Sequence, residues 1–365
     1  MSYRVVAKKN LLVLILILLL SGPGCRFSYI LHAAAGQYRL IHDSVLIEEA
    51  LISDSLEPEH KGRLRLVALI KEFGEKELGL KKTQNYQTVY LKSRQSPIYT
   101  VSASPKDQLA RISWWFPVVG NMPYLGFFDL QGAKKEKNRL ITRGLDVSIG
   151  VAEAYSTLGW FKDPVTLNLL TGSMVDLTET ILHEMTHTTL YVKNKGEFNE
   201  GLANLVGKVS ATSFMKRTYG PSHPFTIKAE NNLGDARVFS SFLTSLFDKL
   251  EGIYDSNKSY QRKLIEREKI FEASLKEFSR IQGLLDNERY RYFGESGLNN
   301  AYLMSIGLYN RHFHFFESLL TERESSVREM LVYLQKIAGE GGDIMEKIRK
   351  DLDQHVTKSS NHFQG

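Results

Sequence analysis

Five consecutive residues, His183-Glu184-Met185-Thr186-His187, carry the clearest chemistry in the chain. Two histidines four apart on a helix project from one face, one turn above each other. Their imidazoles can then meet at one metal ion, and zinc accepts histidine nitrogen at about 2.0–2.1 Å. A glutamate beside the first histidine can take a proton from a water on the open side of that metal and pass it on. The pattern predicts His183 and His187 as ligands, Glu184 as general base and Zn²⁺ as cofactor.

A catalytic zinc takes a third protein ligand and leaves a fourth position open. Metzincins place Gly three residues and His six residues after the second histidine. Those positions are Leu190 and Lys193, which excludes that class. An acid on a following helix is the alternative. After a turn at Lys195-Gly196, the run Asn199-Glu200-Gly201-Leu202-Ala203-Asn204 supplies one, with Asn199 as N-cap and Glu200 in the first turn. Glu200 is the preferred third ligand and Glu197 its rival.

This layout resembles the gluzincin metallopeptidases, in which an Asn-Glu pair opens the second helix. The resemblance implies a hydrogen bond to a ligand histidine from the residue four after the acid. That residue is Asn204, an amide where gluzincins often carry Asp. It also implies a downstream Tyr or His that stabilises the oxyanion; Tyr309 and Tyr302 are candidates, and Tyr309 is preferred. Gly150-Val-Ala-Glu153 loosely resembles the Gly-x-x-Glu segment of alanyl-aminopeptidase-type enzymes. There the glutamate holds the free α-amine of the substrate, which makes Glu153 a candidate substrate-binding residue.

These residues need elements to hold them. Asp176 and Glu179 fit a capping pair, and Leu177, Ile181, Leu182, Met185 and Leu190 form an apolar stripe, so a helix is expected from Leu177 to Val192, with Gly196 where a helix would stop. Ahead of it, residues 85–153 carry β-branched, partly alternating runs at Tyr86–Leu91, Ile98–Ala103 and Leu145–Val151 that predict strands. The last of these is expected to pair with extended substrate beside the metal helix. The Trp114-Trp115-Phe116 cluster reads as core or as a wall of a substrate cleft, and a basic helix is expected over Asp129–Thr142.

The flanks read as helices. Tyr29–Leu51 and Glu57–Leu78 predict a helical platform, Gly79 ending the second. Beyond the site, helices are expected over Gly201–Tyr219, Ala229–Leu250 and Ser259–Leu285 (a charged, solvated arm), and Leu298–Tyr309 opens the last region. His223 reads as a turn residue, and His312 and His314, two apart, face different ways and are no metal pair. The polar tail after Leu352 is expected to fray.

At the N-terminus, Arg4, Lys8 and Lys9 precede an apolar run from Leu11 to Leu20, then small residues lead to Cys25, the only cysteine of the chain. This reads as a lipoprotein signal cleaved before an acylated Cys25, with a plain secretory signal or uncleaved anchor as the alternative. No intramolecular disulfide can form. A net charge of +6 with scattered basic residues and no basic-aromatic stripe excludes a nucleic-acid reader. The mature chain, residues 26–365, is expected to be one domain: a platform over 26–78, a strand region over 79–172, metal-site helices over 173–220 and a helical region over 221–365.

Several segments, in order, are similar to a family of bacterial lipoproteins named as predicted aminopeptidases: Ala33–Gln37, Trp115–Gly120, Tyr124–Phe128, Gly144–Val147, Ala154–Pro164, His183–His187, Phe198–Glu200 and Leu298–Ala301. Trp115 departs from that pattern, which has Cys there, and so does Glu153, where the family has a small residue. The resemblance implies a zinc-dependent peptidase with His183, His187 and Glu200 as ligands and Glu184 as base. The fold class expected is α+β, predominantly helical, with a zincin-like active-site helix beside a small sheet. The function expected is peptide hydrolysis at the cell envelope, on a membrane anchor. Endopeptidase action and a non-catalytic lipoprotein with a vestigial zinc site are the alternatives.

Overall fold

The computed structural model describes residues 40–54, 56–91, 98–116, 120–127, 129–152, 162–286 and 288–362. Cys25 and Glu153 lie outside them. The fold is predominantly helical α+β, with three small sheets. The chain enters through strand β1 (Val45–Leu46), helix α1 (Ile47–Ile52) and helix α2 (Pro58–Lys76). The unbroken helix expected to Leu51 does not form, because Val45 and Leu46 pair with Val89 and Thr88 of strand β2 (Thr88–Tyr90). Helix α2 opens with Pro58, whose missing N–H is lost on a group with no intrahelical partner anyway. Gly79 follows it at φ +72°, a backbone state that costs glycine little.

The main sheet is built from strands β3 (Ile98–Ser104), β6 (Leu125–Phe127) and β7 (Asp146–Ala152), in the order β6-β3-β7 and antiparallel throughout; a hairpin of β4 (Trp114–Phe116) and β5 (Gly120–Met122) stands beside it. Alternation along β3 and β7 divides this sheet into two faces. Val101, Ala103 and Val147 turn toward Ala133 and Leu140 of helix α3 (Leu130–Ile141), whose N-cap is Asp129. The other face is small and polar: Thr100 opposes Gly150 and Ser102 opposes Ser148. Trp114 is buried in the α3 core while Trp115 is exposed, so the core reading of the aromatic cluster applies to Trp114.

Strand β8 (Val165–Thr166) runs parallel to β2 and leads through α4 (Leu167–Thr171) into the central pair, α5 (Met174–Thr189) and α6 (Gly196–Tyr219). Helix α5 starts three residues before the expected Leu177. Ser173, and not Asp176, is the N-cap: its hydroxyl accepts from the Asp176 N–H while the Asp176 carboxylate accepts from the Ser173 N–H. Helix α6 begins at Gly196, the residue expected to end the preceding helix.

Helices α7 (Pro224–Tyr254) and α8 (Tyr260–Ile281) form a hairpin, followed by the short α9 (Glu288–Arg291) and by α10 (Asn300–Asn310), α11 (Phe313–Glu322), α12 (Val327–Gly339) and α13 (Ile344–His362). His223 caps α7 by accepting from the Phe225 N–H, which starts that helix well ahead of the expected Ala229. The arm α8 is less solvated than its charge suggests, since Arg267, Phe271, Ser274 and Phe278 are buried along one face. Helix α13 runs on past Leu352 to His362. Among the described residues no helix is long and apolar enough to cross a membrane.

Two apolar cores flank the central pair. One gathers Leu64, Val67, Ile181, Met185, Leu202 and Phe316, from α2, α5, α6 and α11. The other is aromatic and joins Phe239, Phe242, Phe271, Phe278, Tyr290 and Phe293, from α7 through α9 and beyond. A buried polar joint ties the sheet to the helices: Asp146 accepts from Arg267 at 2.8 Å and from the Asn300 backbone N–H at 2.9 Å, and Tyr254 donates to the Asn300 amide oxygen at 2.8 Å. Asn299 beside it caps α10. Helix α10 is thereby held across the small face of the sheet.

Candidate active site

Helices α5 and α6 approach so closely that a Cβ at Gly207 would lie 2.7 Å from the Glu179 carbonyl oxygen. Only glycine permits that contact, and it sets the His183 backbone against α6. Between the helices, Asn199 accepts from the Val192 N–H and donates to the Val192 carbonyl, both at 2.8 Å. Asn199 is thus a clamp on the connecting loop and not the N-cap expected; Lys195 occupies that position, and Glu200 stands one turn inside α6. Asn194 turns the loop with φ +62°.

This frame brings three ligand atoms to one point. His183 Nε2 is 3.2 Å from Glu200 Oε2, His187 Nε2 is 3.4 Å from the same oxygen, and the two nitrogens are 3.1 Å apart. The three residues form a group that could hold a metal ion. Bonds of about 2.0–2.1 Å to a tetrahedral ion would space its ligand atoms about 3.3–3.4 Å apart, so the donor set and its spacing fit a zinc-sized cation. Glu184 lies in the same cavity with its Oε2 buried and without a hydrogen-bond partner among the described residues. That lone oxygen suits a group that must receive a proton.

Electrostatics favour a charged Glu200. Burial pushes its carboxyl up, but hydrogen bonds from His183 and His187 and their charge outweigh burial and hold it well below the usual carboxylate range. For His187, burial opposes the charged ring; the Glu200 hydrogen bond and the nearby carboxylates overcome that and raise it.

The site opens into a cavity of about 460 Å³, roofed by the small face of the sheet (Thr100, Ser102, Gly150) and by α10. Tyr309 lies on α10 with its ring centroid 6.2 Å from that of His183. Tyr302 also lines the cavity, and its hydroxyl accepts from the Gly294 N–H. Asn204 does not serve a ligand histidine among the described contacts. It donates instead to the Tyr309 carbonyl oxygen at 2.9 Å. Glu197, the rival ligand, is engaged elsewhere: its two oxygens take Arg111 at 2.9 Å and His312 at 3.2 Å. The His312 hydrogen bond, aided by Arg111 against burial, lowers its carboxyl to about 2. His314 bonds Ser241 at 2.7 Å, so the two histidines expected to diverge do so.

Glu179 was not legible as a site residue. Expected as a capping acid, it sits one turn before His183 and faces the cavity floor, where Lys208 donates to one oxygen and Asn232 to the other, each at 2.9 Å. All three are buried. The spacing of Glu179 and His183, four apart on one helix face, was the available signal.

The chain matches the family model described as "Putative aminopeptidase" over residues 28–343. No curated protein and no solved structure matches it.

Proposed function

The chain belongs to this aminopeptidase family, and on that premise we propose that it is a zinc-dependent aminopeptidase whose ligands are His183, His187 and Glu200. The convergence of their three ligand atoms, 3.1–3.4 Å from one another beside a glutamate oxygen without a hydrogen-bond partner among the described residues, carries the reading. Zinc, when bound, supplies Lewis-acid polarisation of the scissile carbonyl and a more acidic water.

The chain's own residues do the rest. Glu184 takes the proton of the attacking water and delivers it to the departing amine. Tyr309, beside His183, donates its hydroxyl proton in a hydrogen bond to the carbonyl oxygen as charge builds there. Extended substrate lies along β7, which is hydrogen-bonded to β3 on one side and reaches the cavity through Gly150 and Val151. On the N-terminal sequence, the protein is an exported lipoprotein acylated at Cys25.

Hydrolysis of free and N-acetylated peptides by zinc-loaded and chelated protein tests the reading. Cleavage that needs zinc and a free amine is expected. Equal cleavage of blocked peptides would overturn the aminopeptidase assignment, and activity unaffected by chelation would overturn the metal.

A further inference from the structure

The cavity does not stop at the three ligands. Its other end is aromatic, lined by Phe239, Tyr290, Phe293 and Tyr302. The rings contact one another: Phe239 stacks on Tyr290 with centroids 4.3 Å apart and meets Phe293 edge-on at 5.6 Å, and Phe293 lies 5.8 Å from Tyr302. Helix α7 measures the span. Asn232, which holds Glu179 one turn from His183, precedes Phe239 by seven residues, so the aromatic end lies about 10 Å along the helix from the polar floor. Along the way the charges of Glu179 and Lys208 cancel, and Ser102, Gly150 and Ser305 leave width.

We propose that this end is a specificity pocket for a bulky apolar side chain, aromatic or long aliphatic, on the residue adjacent to the scissile bond. The proposal rests on the peptidase reading above and adds the substrate class to it. Phe239, Tyr290 and Phe293 are already packed into the aromatic core and give this end a rigid apolar floor, while half-buried Tyr302 is the ring that a bulky apolar side chain would cover. The same end offers little to a charged side chain, which would lose its water there without a partner, because Lys208 and Glu179 already satisfy each other.

The test has two arms, both on the full chain loaded with zinc. In the first, kcat/KM is measured for peptides X-Ala-Ala and Ala-X-Ala, with X as Gly, Leu, Phe, Glu or Lys. Leu and Phe are expected to exceed Gly, Glu and Lys by about tenfold or more in one series. Ser305→Phe, which fills the cavity from a half-buried helical position, should erase that preference, lowering kcat/KM for the Leu and Phe peptides about tenfold more than for the Gly peptides. A flat profile, a preference for charged residues, or an equal loss for Gly and Phe peptides in Ser305→Phe would overturn the pocket.

In the second arm, the hydroxamates of glycine, leucine and phenylalanine are titrated by calorimetry. The leucine and phenylalanine compounds should bind about tenfold tighter than the glycine one, and Ser305→Phe should remove the difference. Equal affinities would overturn the pocket. This arm needs no turnover, so a protein that cleaves no peptide but discriminates among hydroxamates would sink the peptidase reading and keep the pocket.

Discussion

Asn204 donates to the backbone carbonyl of Tyr309 at 2.9 Å, joining the helix that carries Glu200 to the helix that carries the phenol. A second tie lies further along: Arg111 bonds Glu197 of α6 and the Met304 carbonyl of α10. The Glu200 carboxylate and the Tyr309 phenol are therefore fixed relative to each other through the packing of α6 and α10.

That coupling makes Asn204 testable through its partner. Asn204→Ala should lower kcat with little change in zinc content. In a Tyr309→Phe background the same substitution should cost almost nothing further, because both act on one hydroxyl. Additive losses in the double-mutant cycle would show that Asn204 acts elsewhere.

Glu184→Gln should keep fold and zinc while losing turnover by about 10²–10⁴-fold, the usual worth of a placed general base. Peptide hydrolysis together with metal analysis of the purified variant checks both halves. Retained activity would contradict the assigned base.

Gly207→Ala should destabilise the protein by about 1–3 kcal/mol, because the new methyl meets a backbone oxygen that cannot rotate away. The separation of α5 and α6 should also weaken zinc binding. Urea unfolding and competition with a zinc chelator would register the two effects, and a wild-type zinc affinity would refute the second.

Removing Lys208 should be severe. Lys208→Met leaves the Glu179 carboxylate buried beside Asn232 without its cation, a change that costs about 3–5 kcal/mol for a buried pair. Adding Glu179→Gln should recover part of that loss, because a neutral amide needs no counter-ion. Denaturation midpoints of the two variants decide it.

Acid should loosen the Glu197 joint. The His312 hydrogen bond and Arg111 hold this carboxyl at about 2, below the ordinary 4.5. A carboxyl depressed by folding adds stability that is complete above its unfolded value and is lost as pH falls through its folded one. Its share should therefore fade between about pH 4.5 and about pH 2. Glu197→Gln should lie below wild type at pH 6 and fall less steeply through that window. Parallel stability curves would rule this out.

The sequence by itself determined what is local. Four-residue spacing put His183 and His187 on one helix face, the apolar stripe around them placed that helix in the core, and β-branched alternation located β3 and β7. The mostly helical α+β class followed from the same periodicities. Boundaries were less legible: Asp176 and Ser173 are both competent caps, and the choice fell to Ser173 because the Asp176 side chain closes the ring back onto its N–H.

Only the tertiary structure decided which acid meets the imidazoles and what surrounds them. Glu197 and Glu200 are nearly equivalent in sequence, yet one turns to Arg111 and His312 and the other to the histidines, since three residues of helix rotate a side chain by most of a turn. Arg111 and His312 meet at Glu197, and Lys208 and Asn232 at Glu179, from separate elements, and no local pattern encodes either meeting. Asn204 kept a hydrogen-bonding role but found a different partner, the carbonyl of a residue on a helix that the sequence places a hundred positions away. Local periodicity fixes the face a side chain takes on its own element, while packing between elements fixes the atoms it finally touches.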